Sequence, residues 1–161
     1  MEHERLEFSK EPPDSEIAQA LIGELDADLL TRYPGQWIHG LHPQDVVDPD
    51  FIFVVARLGG EPVACGALRK LETDVAEVKR LFVRGAFRKR GFSRQVLQFL
   101  ESTAQSCGYR TLKLETGTLQ PEANGLYESS GYKPIPPFGE YVGNPFSICF
   151  EKRLEPVQEI V

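Results

Sequence analysis

Apolar Leu6 and Phe8 alternate with polar Arg5, Glu7 and Ser9, a period of two that predicts a short first strand stopped by Pro12 and Pro13. The period then lengthens. Ile17, Leu21, Leu25 and Leu29 fall on one helical face, which predicts a helix capped by Asp14 or Ser15, ending near Thr31 ahead of Pro34, with an acidic opposite face. Two apolar runs, Phe51 to Leu58 and Val63 to Leu71, flank Gly59-Gly60-Glu61-Pro62 and read as a β-hairpin. A turn near Glu72 to Asp74 leads to a strand filled by Val78, Leu81, Phe82 and Val83, which Gly85 breaks. Strand alternation would put Glu77, Lys79, Leu81 and Val83 on one face. From Ser93, a candidate N-cap, Val96, Leu97, Leu100, Ala104 and Cys107 restore the helical period until Gly108. Thr111 to Thr116 reads as a strand and Pro121 to Gly131 as a helix with Ala123, Leu126, Tyr127 and Ser130 on one face. A proline-rich loop from Pro134 to Pro145 precedes a last strand, Ser147 to Leu154. Four strands thus form a meander, and the strand after the central helix returns parallel to the fourth.

At 161 residues with 41% hydrophobic content, the chain is sized for one domain with a single core. We assign that domain to residues 1–154 and expect 155–161 to be a frayed tail. The net charge of -6 repels nucleic acid and anionic membrane. The N-terminus Met1-Glu-His-Glu-Arg-Leu lacks the apolar core of a signal peptide, and Phe51 to Ala56 is too short to span a bilayer, so a cytoplasmic location is expected. Cys65, Cys107 and Cys149 lie on apolar segments, are odd in number and read as reduced core thiols.

The chemistry concentrates between Glu77 and Ser93. A strand, a basic loop and a helix start aim backbone N–H groups and the positive end of a helix dipole at one spot outside the sheet, which suits an anion. Gly91 admits a ligand close to the backbone, and Arg88, Lys89 and Arg90 supply charged donors for phosphate oxygens. The spacing of neither the Walker loop nor the dinucleotide fingerprint is present.

Arg88-x-x-Gly91-x-Ser93 resembles the Arg/Gln-x-x-Gly-x-Gly/Ala signature of the GNAT superfamily of acyl-coenzyme A dependent N-acyltransferases. Ser93 departs from the usual glycine or alanine, Gly85 stands where many members have proline, and Lys89 where many have glycine. A second stretch, Gln120-Pro-Glu-Ala-Asn-Gly-Leu-Tyr-Glu-Ser-Ser-Gly-Tyr132, resembles the family's Asn-x-x-Ala-x-x-Leu-Tyr-x-x-x-Gly-Phe helix, with Gln120 for asparagine and Tyr132 for phenylalanine. The resemblance runs from about Phe51 to the chain end and implies a mixed, mostly antiparallel sheet of six to seven strands flanked by about four helices.

It also implies acetyl-CoA as co-substrate, with no metal. By resemblance Leu81, Phe82 and Val83 line the pantetheine arm, the loop Arg88, Lys89, Arg90, Gly91, Phe92 and Ser93 holds the diphosphate, and the Gln120 amide meets coenzyme. Glu77 stands where many members carry a base glutamate, and Tyr127 where they carry the tyrosine that protonates the coenzyme thiolate. Beside these stand plainer readings, a salt-bridged strand residue and a core tyrosine. Tyr33, Trp37 and Tyr141 are candidates for the acceptor wall, against a covering loop in which Trp37 seals the core edge. Lys79, Arg80 or His39 are candidates for holding a substrate carboxylate. His39 and His42 lack further ligands at a recognisable spacing for zinc.

The expected activity is acetyl transfer to the primary amine of a small molecule or amino acid. The alternatives are a protein lysine or N-terminal acetyltransferase and a coenzyme-binding sensor without catalysis. The basic cluster Arg84, Arg88, Lys89, Arg90 and Arg94 around Phe87 and Phe92 has no recognition-helix pattern to make it a nucleic-acid module. Homodimers are common in the resembled family.

Overall fold

A computed structural model describes residues 4–156; Met1-Glu-His and residues 157–161, including most of the expected tail, lie outside the described residues. The strands are β1 (Glu7–Glu11), β2 (Ile52–Leu58), β3 (Glu61–Glu72), β4 (Val75–Val83), β5 (Thr111–Gly117), β6 (Lys133–Ile135) and β7 (Ser147–Arg153). The helices are α1 (Glu16–Leu30), α2 (Pro43–Val47), α3 (Phe92–Ser106) and α4 (Pro121–Ser129). Three single 3-10 turns join them, at Gly35–Trp37, Gly85–Phe87 and Gly139–Tyr141.

The seven strands form one sheet in the order β1-β2-β3-β4-β5-β7-β6. Only the β4–β5 pair is parallel, as the crossover through α3 requires. The β2–β3 hairpin turns on Gly59 and Gly60, both left-handed at φ 58 and 86, the two-residue turn whose twist matches that of the strands. Ser15 caps α1, its hydroxyl accepting from the Ala18 amide at 3.2 Å.

Each sheet face carries its own core. On one, Val54, Leu68, Val78, Leu112 and Leu114 meet Val96, Leu97, Leu100 and Ala104 of α3, and Tyr127 of α4 joins them. On the other, Phe53, Val55, Cys65, Ala67 and Phe82 meet Ala18, Leu21, Ile22 and Leu25 of α1. Gly66 lets α3 approach the sheet, because a Cβ there would lie 2.8 Å from Leu100 Cδ1 and 3.1 Å from Val96 Cγ1. Gly66→Ala is therefore expected to cost about 1–3 kcal/mol by overpacking, read as a lower denaturation midpoint in urea. An unchanged midpoint would mean that α3 recedes freely.

Strand parity changes within β4. Arg80 sits at φ 57 inside the strand, and the register with β3 slips between Cys65 and Ala67, so the chain carries a β-bulge. Glu77 and Lys79 therefore face the α1 side, whereas Leu81 and Val83 pack on the α3 side with Phe82 turned toward α1. The shared face expected from simple alternation is corrected by that one extra residue.

Four smaller features also differ from the sequence reading. The structure adds the α2 turn and the three-residue edge strand β6, which the hydrophobic period does not predict. Gly91, left-handed at φ 79, occupies the N-cap position of α3, so Ser93 is the second helical residue and makes no capping bond. Cys107 is exposed at the C-terminus of α3, while Cys65 and Cys149 are buried thiols.

Candidate active site

β4 and β5 pair only at Val75↔Thr111, Ala76↔Leu112, Glu77↔Lys113 and Val78↔Leu114. Beyond that rung β4 runs on through its bulge to Val83 and β5 runs on to Gly117, without a bond between them. Into the parting opens a cavity of about 590 Å³, walled by Lys79 to Val83 on one side and Glu115 to Gly117 on the other. The gap connects the two faces of the sheet. On the α3 side lie the loop before α3 and Ala123, Leu126 and Tyr127 of α4; on the α1 side lie Tyr33, Trp37, His39, Tyr141, Asn144 and Phe146.

The basic loop forms the mouth on the α3 side. Lys89 and Gly91 are both left-handed, at φ 63 and 79, which bends the chain sharply into the helix. No side chain caps α3, and its first amides have no acceptor among the described residues, leaving orphan donors and the positive dipole end at the cavity wall. Arg88 donates from Nε to the Val83 carbonyl at 3.1 Å, lies over the Phe82 ring and sits 3.6 Å from Asp28. Lys89, Gly91, Phe92 and Ser93 also line the cavity, Phe92 with its side chain sunk in the core. Arg90 does not: it pairs with Glu4 and stacks over Phe87 and Phe92. Arg94 lines the wall instead, donating to the Ser129 and Ser130 hydroxyls at 2.8 and 3.1 Å.

Gln120 also lines the cavity, with its side-chain carbonyl fixed. It accepts from the Gly117 amide at 3.2 Å and from the Tyr33 hydroxyl at 3.3 Å. Tyr33 in turn accepts from the Leu119 amide at 3.0 Å, and it lies so close that a Cβ on Gly117 would sit 1.8 Å from its oxygen. Tyr127 is buried, with its ring 5.8 Å from Tyr132 and 6.0 Å from Phe150, and its hydroxyl makes no hydrogen bond among the described residues. Burial raises its pKa well above the ordinary phenol value, so it stays protonated.

Glu77 is buried behind this surface and is not among the residues lining the cavity. The Tyr141 hydroxyl donates to its Oε2, Lys79 Nζ lies 3.8 Å away and Arg69 Nη1 3.6 Å away. Lys79 itself donates to the Tyr141 oxygen at 2.9 Å and reaches the cavity; burial lowers its pKa, with Glu77 opposing. Arg69 is clamped by Asp45 of α2, at 2.9 and 2.5 Å. Arg80, on the bulge, pairs with Asp26 at 2.7 Å and fills the space beneath Gly40.

The loop Gly139–Tyr141 is latched through Glu140 to two histidines. His42 Nε2 lies 2.7 Å from Glu140 Oε2, and His39 Nδ1 3.2 Å from Oε1. Burial lowers the His39 pKa, and Asn144 Nδ2 donates to its Nε2 at 3.1 Å, which places the imidazole proton on Nδ1, toward Glu140. Both histidines thus serve the loop. The cavity also reaches Glu115, whose position at the carboxyl end of a parallel strand, where open sheets place ligands, was a signal available in the sequence.

Parted parallel strands with an uncapped helix N-terminus at the opening make a cavity that crosses the sheet and has an anion-suited mouth. Residues 17–132 match the family model described as the Acetyltransferase (GNAT) family, and the chain belongs to that family. It is 37% identical over 148 residues to an IAA acetyltransferase of Azospirillum brasilense, an alignment that covers 91% of this chain and 97% of that one. It is 33% identical to the uncharacterized N-acetyltransferase YsnE of Bacillus subtilis (strain 168), covering 84% and 91%. Among solved structures, a Klebsiella pneumoniae protein assigned to the acyl-CoA N-acyltransferases superposes with a TM-score of 0.78 at 32% identity, over 93% of this chain and 98% of that one. A GNAT family acetyltransferase from Elizabethkingia anophelis with acetyl-CoA bound shares the fold at TM-score 0.67 and 17% identity, covering 92% and 98%. The seven-stranded mixed sheet with four α-helices is that family's fold, and the protein is an acyltransferase.

Proposed function

We propose that the chain transfers the acetyl group of acetyl-CoA directly to the primary amine of a small molecule. The parting of β4 from β5 past Val78 and Leu114 carries this reading. It leaves one backbone edge of Leu81, Phe82 and Val83 without a strand partner, matching the need of a pantetheine arm for amide partners. The orphan amides before and within the first turn of α3, with Arg88 and Lys89, suit a diphosphate. The buried Thr116 hydroxyl, which has no partner among the described residues, is a further unmatched polar group on the cavity wall. Acetyl-CoA therefore fits the residues present.

Tyr127 lies on the coenzyme side of the gap and donates to the thiolate as it leaves. The acceptor comes from the opposite side, between Tyr33, Trp37, His39 and Tyr141. The aromatic walls favour a compact apolar amine over a long peptide. Glu77 holds Tyr141 and Lys79 in place. The deciding experiment is a thiol-release screen with acetyl-, propionyl- and succinyl-CoA over aromatic amines, aliphatic amines, amino acids and lysine peptides. Release with small amines alone supports the reading; release with peptides alone replaces the small-molecule acceptor. Coenzyme binding with no release for any amine leaves a sensor.

A further inference from the structure

Resting on the transferase reading, we infer that Glu115 of β5, and not Glu77, is the base that takes the proton from the acceptor amine. Three observations carry this. The first is access: Glu115 lines the cavity, whereas Glu77 does not. Glu77 is also engaged by Tyr141, Lys79 and Arg69, so an amine would have to displace partners to reach it. Glu115 has one hydrogen-bond partner among the described residues, the Ser147 hydroxyl, which donates to its Oε2 at 2.9 Å. That leaves the carboxylate with lone pairs to offer.

The second observation is side. Along β5, Leu112 and Leu114 face α3, so Lys113 and Glu115 face α1. Glu115 therefore stands on the acceptor side of the parting and Tyr127 on the coenzyme side. A proton removed from nitrogen and a proton given to sulfur are needed on those opposite sides.

The third is basicity. Burial is the main cause that raises the Glu115 carboxyl to about 7, against the lowering effects of the Ser147 hydrogen bond and Lys79. Glu77 on β4 and Glu140 on the Gly139–Tyr141 loop push it further up. Tyr33, Tyr127, Tyr141 and Cys149 also feel its charge; each has its own pKa raised, so all remain neutral beside it at pH 7. A base with a pKa near the working pH has the best compromise between being deprotonated and holding a proton.

The step balances with no further reagent. Glu115 takes one proton from the ammonium, and the freed lone pair forms the C–N bond to the thioester carbonyl carbon. A second proton leaves the nitrogen for water as the carbonyl re-forms. The C–S bond breaks with its electron pair on sulfur, and Tyr127 supplies the sulfur with a proton that solvent later restores. Ammonium plus thioester gives amide, thiol and one released proton.

Glu115→Gln keeps the shape and removes the base. With 2-phenylethylamine and acetyl-CoA, its kcat is expected to fall by about 10² to 10⁴ while the acetyl-CoA Kd from calorimetry stays near that of wild type. Wild-type kcat/KM should fall as pH drops through about 7, because Glu115 is then protonated, and the variant should lose that limb. Glu77→Gln should retain it. Carboxyl carbon NMR of glutamate-labelled protein gives an acceptor-independent readout: one resonance titrating near pH 7 in wild type and missing from Glu115→Gln. The variant should also melt higher than wild type at pH 8, since a carboxyl raised by burial withdraws stability as pH rises through its folded value, and glutamine does not ionise. A Glu115→Gln enzyme with unaltered rate and acidic limb, or a limb lost only in Glu77→Gln, overturns the assignment. Failure of the wild-type protein to release thiol with any amine overturns the transferase reading instead.

Discussion

Replacing Tyr127 with phenylalanine is expected to lower kcat by about 10² to 10⁴ while leaving acetyl-CoA affinity near its wild-type value. The change is clean because of how the ring is held. Tyr132 and Phe150 pack against it at 5.8 and 6.0 Å between centroids, and phenylalanine keeps both contacts. The hydroxyl has no hydrogen-bond partner among the described residues, so its loss leaves none of their buried groups unmatched. What disappears is one donor at the cavity, kept protonated by burial. Thiol release under saturating acetyl-CoA measures the first quantity and titration calorimetry the second. Unchanged turnover would remove Tyr127 from the chemistry.

The other large effect concerns stability. Glu77→Ala is expected to destabilise the fold by about 3–5 kcal/mol, the usual cost of stripping one partner from a buried charge cluster. Lys79 is 6% exposed and loses its nearest buried counterion, while the Tyr141 hydroxyl loses its acceptor. Arg69 retains Asp45, which limits the damage on that side. At this chain length the midpoint should drop by about 2–4 °C for each kcal/mol, measured by scanning calorimetry. Glu77→Gln, which keeps an acceptor for Tyr141, should lose less. Equal midpoints for wild type and Glu77→Ala would show that the cluster contributes nothing.

These two residues also show what kinds of information the chain displays locally. Tyr127 and the Arg88–Ser93 loop were legible because motif and geometry lie within a few residues: Gly91 adopts its left-handed turn, and α4 begins at Pro121 with Tyr127 on its inward face. The meander, the crossover and the last strand followed from hydrophobic period and turn residues in the same way.

Parity in β4 was not legible. Arg80 takes a left-handed conformation that is costly for a long side chain, and the partner that holds its guanidinium, Asp26 of α1, lies far along the chain. That single residue decides whether Leu81 shares a face with Glu77. The basic triplet hid another division: Arg88, Lys89 and Arg90 are adjacent in sequence, yet the third reaches back to Glu4. The strand-end position of Glu115 is visible in the sequence, but its alternation with Leu114 matches that of a solvated charge, and only the departure of β4 from its side gives it a cavity to face.

That departure has a mechanical consequence. Held together by four residue pairs, the sheet is two plates sharing a short seam, with β5 secured along its whole length to β7 and only half of it to β4. On the proposed coenzyme mode a thioester arm laid in the notch would supply the missing rung, so binding is expected to stiffen the seam and raise the melting temperature.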